Sequence, residues 1–339
     1  MKTGATPLRI PLKLFLIKTL TRLVSRARYE SAMESVSVII CSYNRAAYLS
    51  DTLRTLAAAL GPHRNVVEVL VVNNASTDST EEVVSAFINE HPLLKVRLIR
   101  EERQGLSFAR NAGLDQARGS VICFLDDDVY VSEGWLAGIL TAFTLGERIG
   151  CVAGRTRLRW PDVPLPGWLD HTYVGVLSEW DFGDRSFVMG KEHAFVGANF
   201  ALSREAVSAI GAFDPELGRK RNILLSGEDT DYARRLREKG FSIAYSAEAC
   251  IHHRLFPEQM TYSWFCRRFF WNGVTTYFLR RQWYYPITGV PRLLSCLLLL
   301  FVGVLTFSRK RIVLSSFRVL SSAGAFYAWY LRPPGRAQA

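Results

Sequence analysis

From Val36 onward, short unbroken apolar runs alternate with longer amphipathic stretches. Val36-Ser37-Val38-Ile39-Ile40-Cys41 is rich in β-branched residues and has no helical period, which predicts a strand buried on both faces. A helix with one apolar face is predicted over 49–60. Apolar runs at 66–72, 96–99 and 121–125 predict three more strands. Between them, Ser76, Asp78 or Ser79 can cap a helix that Glu81 and Glu82 begin, and a further helix runs from about 106 to Arg118 and Gly119. Units alternating at this length predict an α/β domain with a mostly parallel sheet and helices on both of its faces. Core strands follow near 150–154, 195–202 and 242–251. Residues 155–194, rich in Pro, Trp and Gly, are expected to form a long irregular loop near the active site.

The fourth predicted strand stops at Asp126-Asp127-Asp128. Three adjacent carboxylates repel one another, and a hard divalent cation holding a phosphate is the usual counter-charge. Ligands of open α/β sheets bind beyond the carboxyl ends of the strands. Polar groups recur at such ends (Tyr43, Arg45, Asn74, Asp78 and the three aspartates), which predicts a nucleotide crevice contacted by side chains. Neither GxGxxG nor GxxxxGK[ST] occurs, so a dinucleotide fold and a P-loop are disfavoured. Glu228, Asp229 and Asp231 open another predicted helix. The helix dipole favours one acid there, but three within four positions exceed what capping needs.

Charge divides the chain into three parts. The whole carries a formal +11, yet residues 1–35 hold seven Lys/Arg against two Glu, and 254–339 hold twelve against Glu258 alone. The body between them is net acidic, which argues against a nucleic-acid partner. Both basic ends are also apolar, so an anionic membrane surface is the better fit. Residues 1–35 suggest a basic amphipathic helix, either lying in an interface or packed on the body. The runs 287–307 and 312–331 are interrupted by arginine; each either spans a bilayer when tilted or lies in its plane. Six scattered cysteines without a CxxC indicate reduced core residues and a cytosol-facing protein.

Five segments then occur in a familiar order and spacing: VSVIICSYNR from Val36, VVNNASTDST from Val71, GLSFARNAG from Gly105, the aspartate triplet, and GEDTDYARR from Gly227. Together they resemble the family 2 glycosyltransferases of GT-A fold, over roughly residues 36–270, with 271–339 as a membrane-associating helical region. The resemblance implies a nucleoside-diphosphate sugar donor. Ser42, Tyr43, Arg45 and Asn74 would contact its base and ribose, Arg110 and Asn111 would line its site, and Asp126 with Asp127 would bind it. Asp128 would ligate Mg²⁺ or Mn²⁺, with His253 as a second ligand in preference to His252. Transfer with inversion needs a base, for which Asp229 is the first choice and Glu228 the alternative. The C-terminal region resembles that of relatives acting on lipid-linked or glycan acceptors, which implies the cytoplasmic face of the cell membrane. Two competing expectations are a sugar-nucleotide nucleotidyltransferase, whose phosphate loop CSYNR does not match, and a catalytically silent membrane scaffold.

Overall fold

The first apolar run forms β1 (Val36–Ser42), which has no polar face because both its sides are covered. Val38 and Ile40 pack into one layer with Leu49 and Leu53 of α1 (Ala46–Leu60); Ile39 enters the opposite layer with Ala109 and Leu114 of α3 (Leu106–Gln116). This is the strand period of two with apolar residues on both faces. The computed structural model describes residues 35–331, apart from 170, 192, 194, 222 and 281–284. The amphipathic helix expected in residues 1–34 lies outside them.

Around β1 the neighbours are β2 (Val67–Asn73), β3 (Lys95–Arg100) and β4 (Val121–Asp126), all parallel. The described sheet has nine strands, eight of them in the order β3-β2-β1-β4-β8-β6-β9-β5. Here β5 is Val129–Val131, β6 Ile149–Arg159, β8 Asn199–Ser203 and β9 Ser242–Arg254. β8 runs antiparallel to β4 and β6, and β9 is parallel to β6. A short β7 (Phe187–Val188) pairs with β9 off this path. The mostly parallel α/β layering is the expected one.

Two features of β9 position chemistry. Its pairing with β6 jumps from Gly154–Ser246 to Thr156–Ile251, so residues 247–250 bulge out. Beyond the bulge, β9 pairs with β5 in the register Val129–His253. The strand end that carries the aspartates is thereby laid beside His253.

The region 155–194 is less irregular than expected. Its first five residues continue β6, and 171–177 form a 3₁₀ segment. Three short elements have no counterpart among the predicted ones: β5, α4 (Trp135–Ala142) and α5 (Arg204–Ile210). None is long enough to display a period. The remaining body helices are α2 (Thr80–Glu90) and α6 (Glu228–Glu238).

Three helices complete the described chain: α7 (Tyr262–Arg280), α8 (Tyr285–Leu305) and α9 (Arg309–Leu331). α7 runs unbroken through residue 270, so the expected domain border falls inside a helix. α9 lies against α7 backbone to backbone. A Cβ on Gly273 would sit 1.8 Å from Ser321 O, and one on Gly324 would sit 2.0 Å from Phe270 O, so only glycine fits at either crossing point. Phe317 of α9 is fully buried and stacks on Phe265 and Phe269 of α7. Among the described residues no helix is long and apolar enough to cross a membrane. α8 instead exposes an apolar stripe: Leu294, Leu298, Phe301 and Leu305 are each 60–62% exposed and recur at helical spacing.

Candidate active site

At the carboxyl ends of β1 and β4 the three aspartates take different partners. Asp128 pairs with Arg45, and Asp127 accepts a hydrogen bond from Ser42 Oγ at 2.7 Å. His253 Nε2 lies 3.4 Å from Asp128 Oδ1 and 4.0 Å from Asp126 Oδ2. One ligand atom from each of Asp126, Asp128 and His253 falls within 4.8 Å of the others. The turn is pinned from below: Thr52 Oγ1 donates to Val129 O at 2.9 Å and accepts from Val129 N at 3.1 Å.

This set fits a divalent cation. Asp128 Oδ1 is buried without a hydrogen-bond partner, a costly arrangement for a carboxylate oxygen unless an ion completes it. Two carboxylates and one imidazole suit a hard or borderline ion that keeps sites open for phosphate oxygens. Burial raises Asp126 and pushes Asp127 up to about 7; for Asp128, His253 and Arg45 outweigh burial and hold it low. Asp128 therefore stays anionic where a metal needs it. Asp126, expected with Asp127 at the donor, also lies in this cluster. His252 is its neighbour's opposite: it pairs with Tyr130 and Arg157 and lies outside the cluster.

The floor of the site is a buried ion pair. Arg110 Nη1 donates to Glu228 Oε1 at 2.8 Å, with side chains only 3% and 5% exposed. Arg110 Nη2 donates to Gly197 O at 2.9 Å, and the guanidinium lies over Phe200 and Phe213. A single side chain thus ties α3, the approach to β8 and the first turn of α6 together. Glu228 Oε1 is held in this pair.

Asp229 is free of any such partner. Its Oδ2 accepts from Gly197 N at 3.0 Å and its Oδ1 from Thr230 N at 2.6 Å. Burial and the adjacent Glu228 charge push its carboxyl up to about 6. Only the ionised form accepts a proton, so a rate that depends on Asp229 falls as pH drops below about 6, roughly tenfold per unit, and levels off above it. A pH–rate profile that stays flat down to pH 5, about one unit lower, would remove Asp229 as the base. Gly227 sets the angle of this turn. Its φ is +102°, and an added Cβ would lie 2.7 Å from Thr275 Cγ2 on α7.

The three aspartates, Arg110, Glu228 and Asp229 line one cavity of about 480 Å³, together with Ser42, Tyr43 and Arg45, and His253 stands behind Asp128 outside that lining. Two predicted site residues are otherwise engaged. Asn74 lines the cavity, but its amide donates to Glu101 O and Arg103 O and accepts from Gly105 N, bracing the loop before α3. Asn111 lies outside the lining and exchanges both its hydrogen bonds with the backbone of Phe213. Each amide keeps spare capacity, a second lone pair on Asn74 Oδ1 and both a donor and a lone pair on Asn111, so these backbone bonds leave room for one more contact. Sequence inspection missed Trp180, Arg219 and Arg268, which also line the cavity. Arg219-Lys220-Arg221, a basic run just before the GED segment, was an available signal for one of them.

Comparison with known proteins gives consistent results. The model of the family described as glycosyl transferase family 2 matches residues 37–211. The chain is 30% identical over 265 residues to the succinoglycan biosynthesis protein ExoM of Rhizobium meliloti (strain 1021), covering 75% of this chain and 80% of that protein. It is 26% identical over 227 residues to the glycosyltransferase AglE of Haloferax volcanii, covering 67% and 69%. Among solved structures, the mannosyltransferase PcManGT from Pyrobaculum calidifontis, in complex with GDP-Man and Mn²⁺, superposes with a TM-score of 0.62 at 18% identity over 95% of this chain and 98% of that one. At that identity the likeness establishes the GT-A type of fold.

Proposed function

Because the chain belongs to glycosyl transferase family 2, we propose that it is a metal-dependent, inverting glycosyltransferase that moves a sugar from a nucleoside diphosphate to a membrane-associated acceptor. The observation that carries this is one cavity at the strand ends lined by Asp126, Asp128 and Asp229, with His253 within ligand distance of the first two. Tyr43 and Ser42 face the donor's base and ribose. Arg45, now paired with Asp128, is long enough to turn to a phosphate. Asp126, Asp128 and His253 would hold Mg²⁺ or Mn²⁺, whose charge would offset that building on the departing diphosphate. Asp229 orients the acceptor hydroxyl and takes its proton as the oxygen attacks the anomeric carbon. Attack from the side opposite the leaving diphosphate inverts that centre. The PcManGT complex with GDP-Man and Mn²⁺ supports the donor class and the ion.

The test is thermal stability against UDP, GDP and dTDP, each with and without Mn²⁺. A ligand at a hundred times its Kd adds about 2.7 kcal/mol. One nucleotide should stabilise only when Mn²⁺ is present, and Asp128→Asn should abolish that gain. A nucleotide shift that ignores both the ion and the substitution would end the metal assignment.

The exposed stripe on α8 and the Arg309-Lys310-Arg311 run that follows support attachment in the plane of an anionic leaflet, on the cytoplasmic face. Each basic residue there contributes roughly 1 kcal/mol and each buried apolar side chain about 1.5–3 kcal/mol. Replacing Leu298 and Phe301 together by Glu should release the protein from phosphatidylglycerol vesicles. Unchanged sedimentation with vesicles would move the attachment elsewhere in the chain.

A further inference from the structure

The cavity has a second positive region, and the donor chemistry above does not use it. Arg268 of α7 donates from Nη1 to Leu224 O at 3.0 Å, while its Nε is buried with no hydrogen-bond partner. Arg219 lines the same cavity. Among the described residues, neither guanidinium has a carboxylate within ion-pair distance. The carboxylates whose charges reach Arg268 are Asp229 and Glu228, and Glu228 is already held by Arg110. Burial and the like charge of Arg219 pull Arg268 down to about 10, so it remains a cation at neutral pH with another cation beside it. Two such groups in a cavity are favourable only when an anion joins them.

Position tells which substrate supplies that anion. Asp126 and Asp128, where the donor's diphosphate belongs, feel Arg219 but are not among the charges acting on Arg268. Arg268 instead shares the cavity with Asp229, whose charge does act on it and which on the transferase reading meets the acceptor hydroxyl. It is carried by α7, on which α9 packs, and α9 in turn packs on α8 with its exposed stripe.

We propose that Arg268 and Arg219 form an acceptor site for a phosphate group lying close to the attacked hydroxyl. The acceptor is then a short sugar phosphate or a short phospholipid-linked sugar, and not the far end of a long glycan. This rests on the transferase reading, and the two can fail separately.

The probes are farnesyl diphosphate, farnesol and inorganic pyrophosphate, titrated calorimetrically into the full chain in detergent. Each is measured alone and with Mn²⁺ plus saturating nucleoside diphosphate. Farnesyl diphosphate should bind with the nucleotide present, and Arg268→Gln and Arg219→Gln should each weaken it roughly ten- to hundredfold. Arg268→Lys should recover part of the loss, and the nucleotide-induced rise in Tm should persist in Arg268→Gln as proof of folding. Equal, nucleotide-insensitive binding of pyrophosphate supports the anion site and names a water-soluble phosphate as its source. Farnesol binding as tightly as farnesyl diphosphate would overturn the proposal, because only the lipid would then be recognised. Competition between every diphosphate probe and the nucleotide would also overturn it, assigning the arginines to the donor. If no nucleotide binds the wild-type protein, the transferase reading falls, while the probe titrations without nucleotide still decide the arginine pair.

Discussion

Asp229→Asn should lower sugar transfer by roughly 10²–10⁴-fold, the range that a positioned general base contributes. The amide has nearly the same size and can still accept one of the two backbone hydrogen bonds, from Gly197 N or Thr230 N, that now hold the carboxylate. What it lacks is a second carboxylate oxygen able to take a proton. The expected signature is therefore a fall in kcat with the Mn²⁺-dependent nucleotide stabilisation intact. The pH dependence assigned to the carboxyl, raised to about 6, should vanish from the residual rate. Loss of nucleotide affinity in place of kcat would move Asp229 from proton transfer to donor binding. Glu228→Gln gives the contrast: it weakens the pair with Arg110 and should cost stability first, with activity following.

Arg110→Ala should be the most destabilising single substitution in the site, by about 3–5 kcal/mol. The magnitude follows from removing one partner of a buried pair, which leaves Glu228 ionised in a place that water scarcely reaches. Glu228 Oε2 already lacks a hydrogen-bond partner, so nothing nearby can take over the lost contact. The substitution also frees Gly197 O and opens space between Phe200 and Phe213. Denaturant unfolding with an unchanged m-value measures it. The double variant Arg110→Met with Glu228→Gln should recover much of the loss, because the stranded charge is gone. A single-variant loss under about 1 kcal/mol would mean that water enters and solvates Glu228.

The elements most visible in the amino-acid pattern are those buried on both faces. β1, β2 and β4 are apolar runs, broken only by Ser37 in β1 and Glu68 in β2 before their polar ends, because helices cover both sides of the sheet, and burial of that kind leaves a local trace. β5 is three residues long and leaves none, although it is the strand that pairs with His253. The same division holds within the site. Asp126, Asp128 and Asp229 stand out because clustered carboxylates are costly without a function. Asn74 and Asn111 were expected at the nucleotide, and their amides serve the backbone. An amide that binds a base and one that braces a loop carry the same groups, so residue type alone does not separate them.

Sequence by itself determined the α/β alternation, the clustering of acidic residues at strand and helix ends, and the basic, apolar character of the C-terminal region. Only the tertiary structure decided which of those residues meet. His253 reaches Asp128 through the pairing of β5 with β9 beyond a bulge, Arg110 finds Glu228 between two helices on one face of the sheet, and α7 brings Arg268 to the cavity. The physical reason is one of range. Strand and helix formation follow from periods read over a few residues, whereas partners for buried charge are set by register and helix packing between segments far apart in the chain.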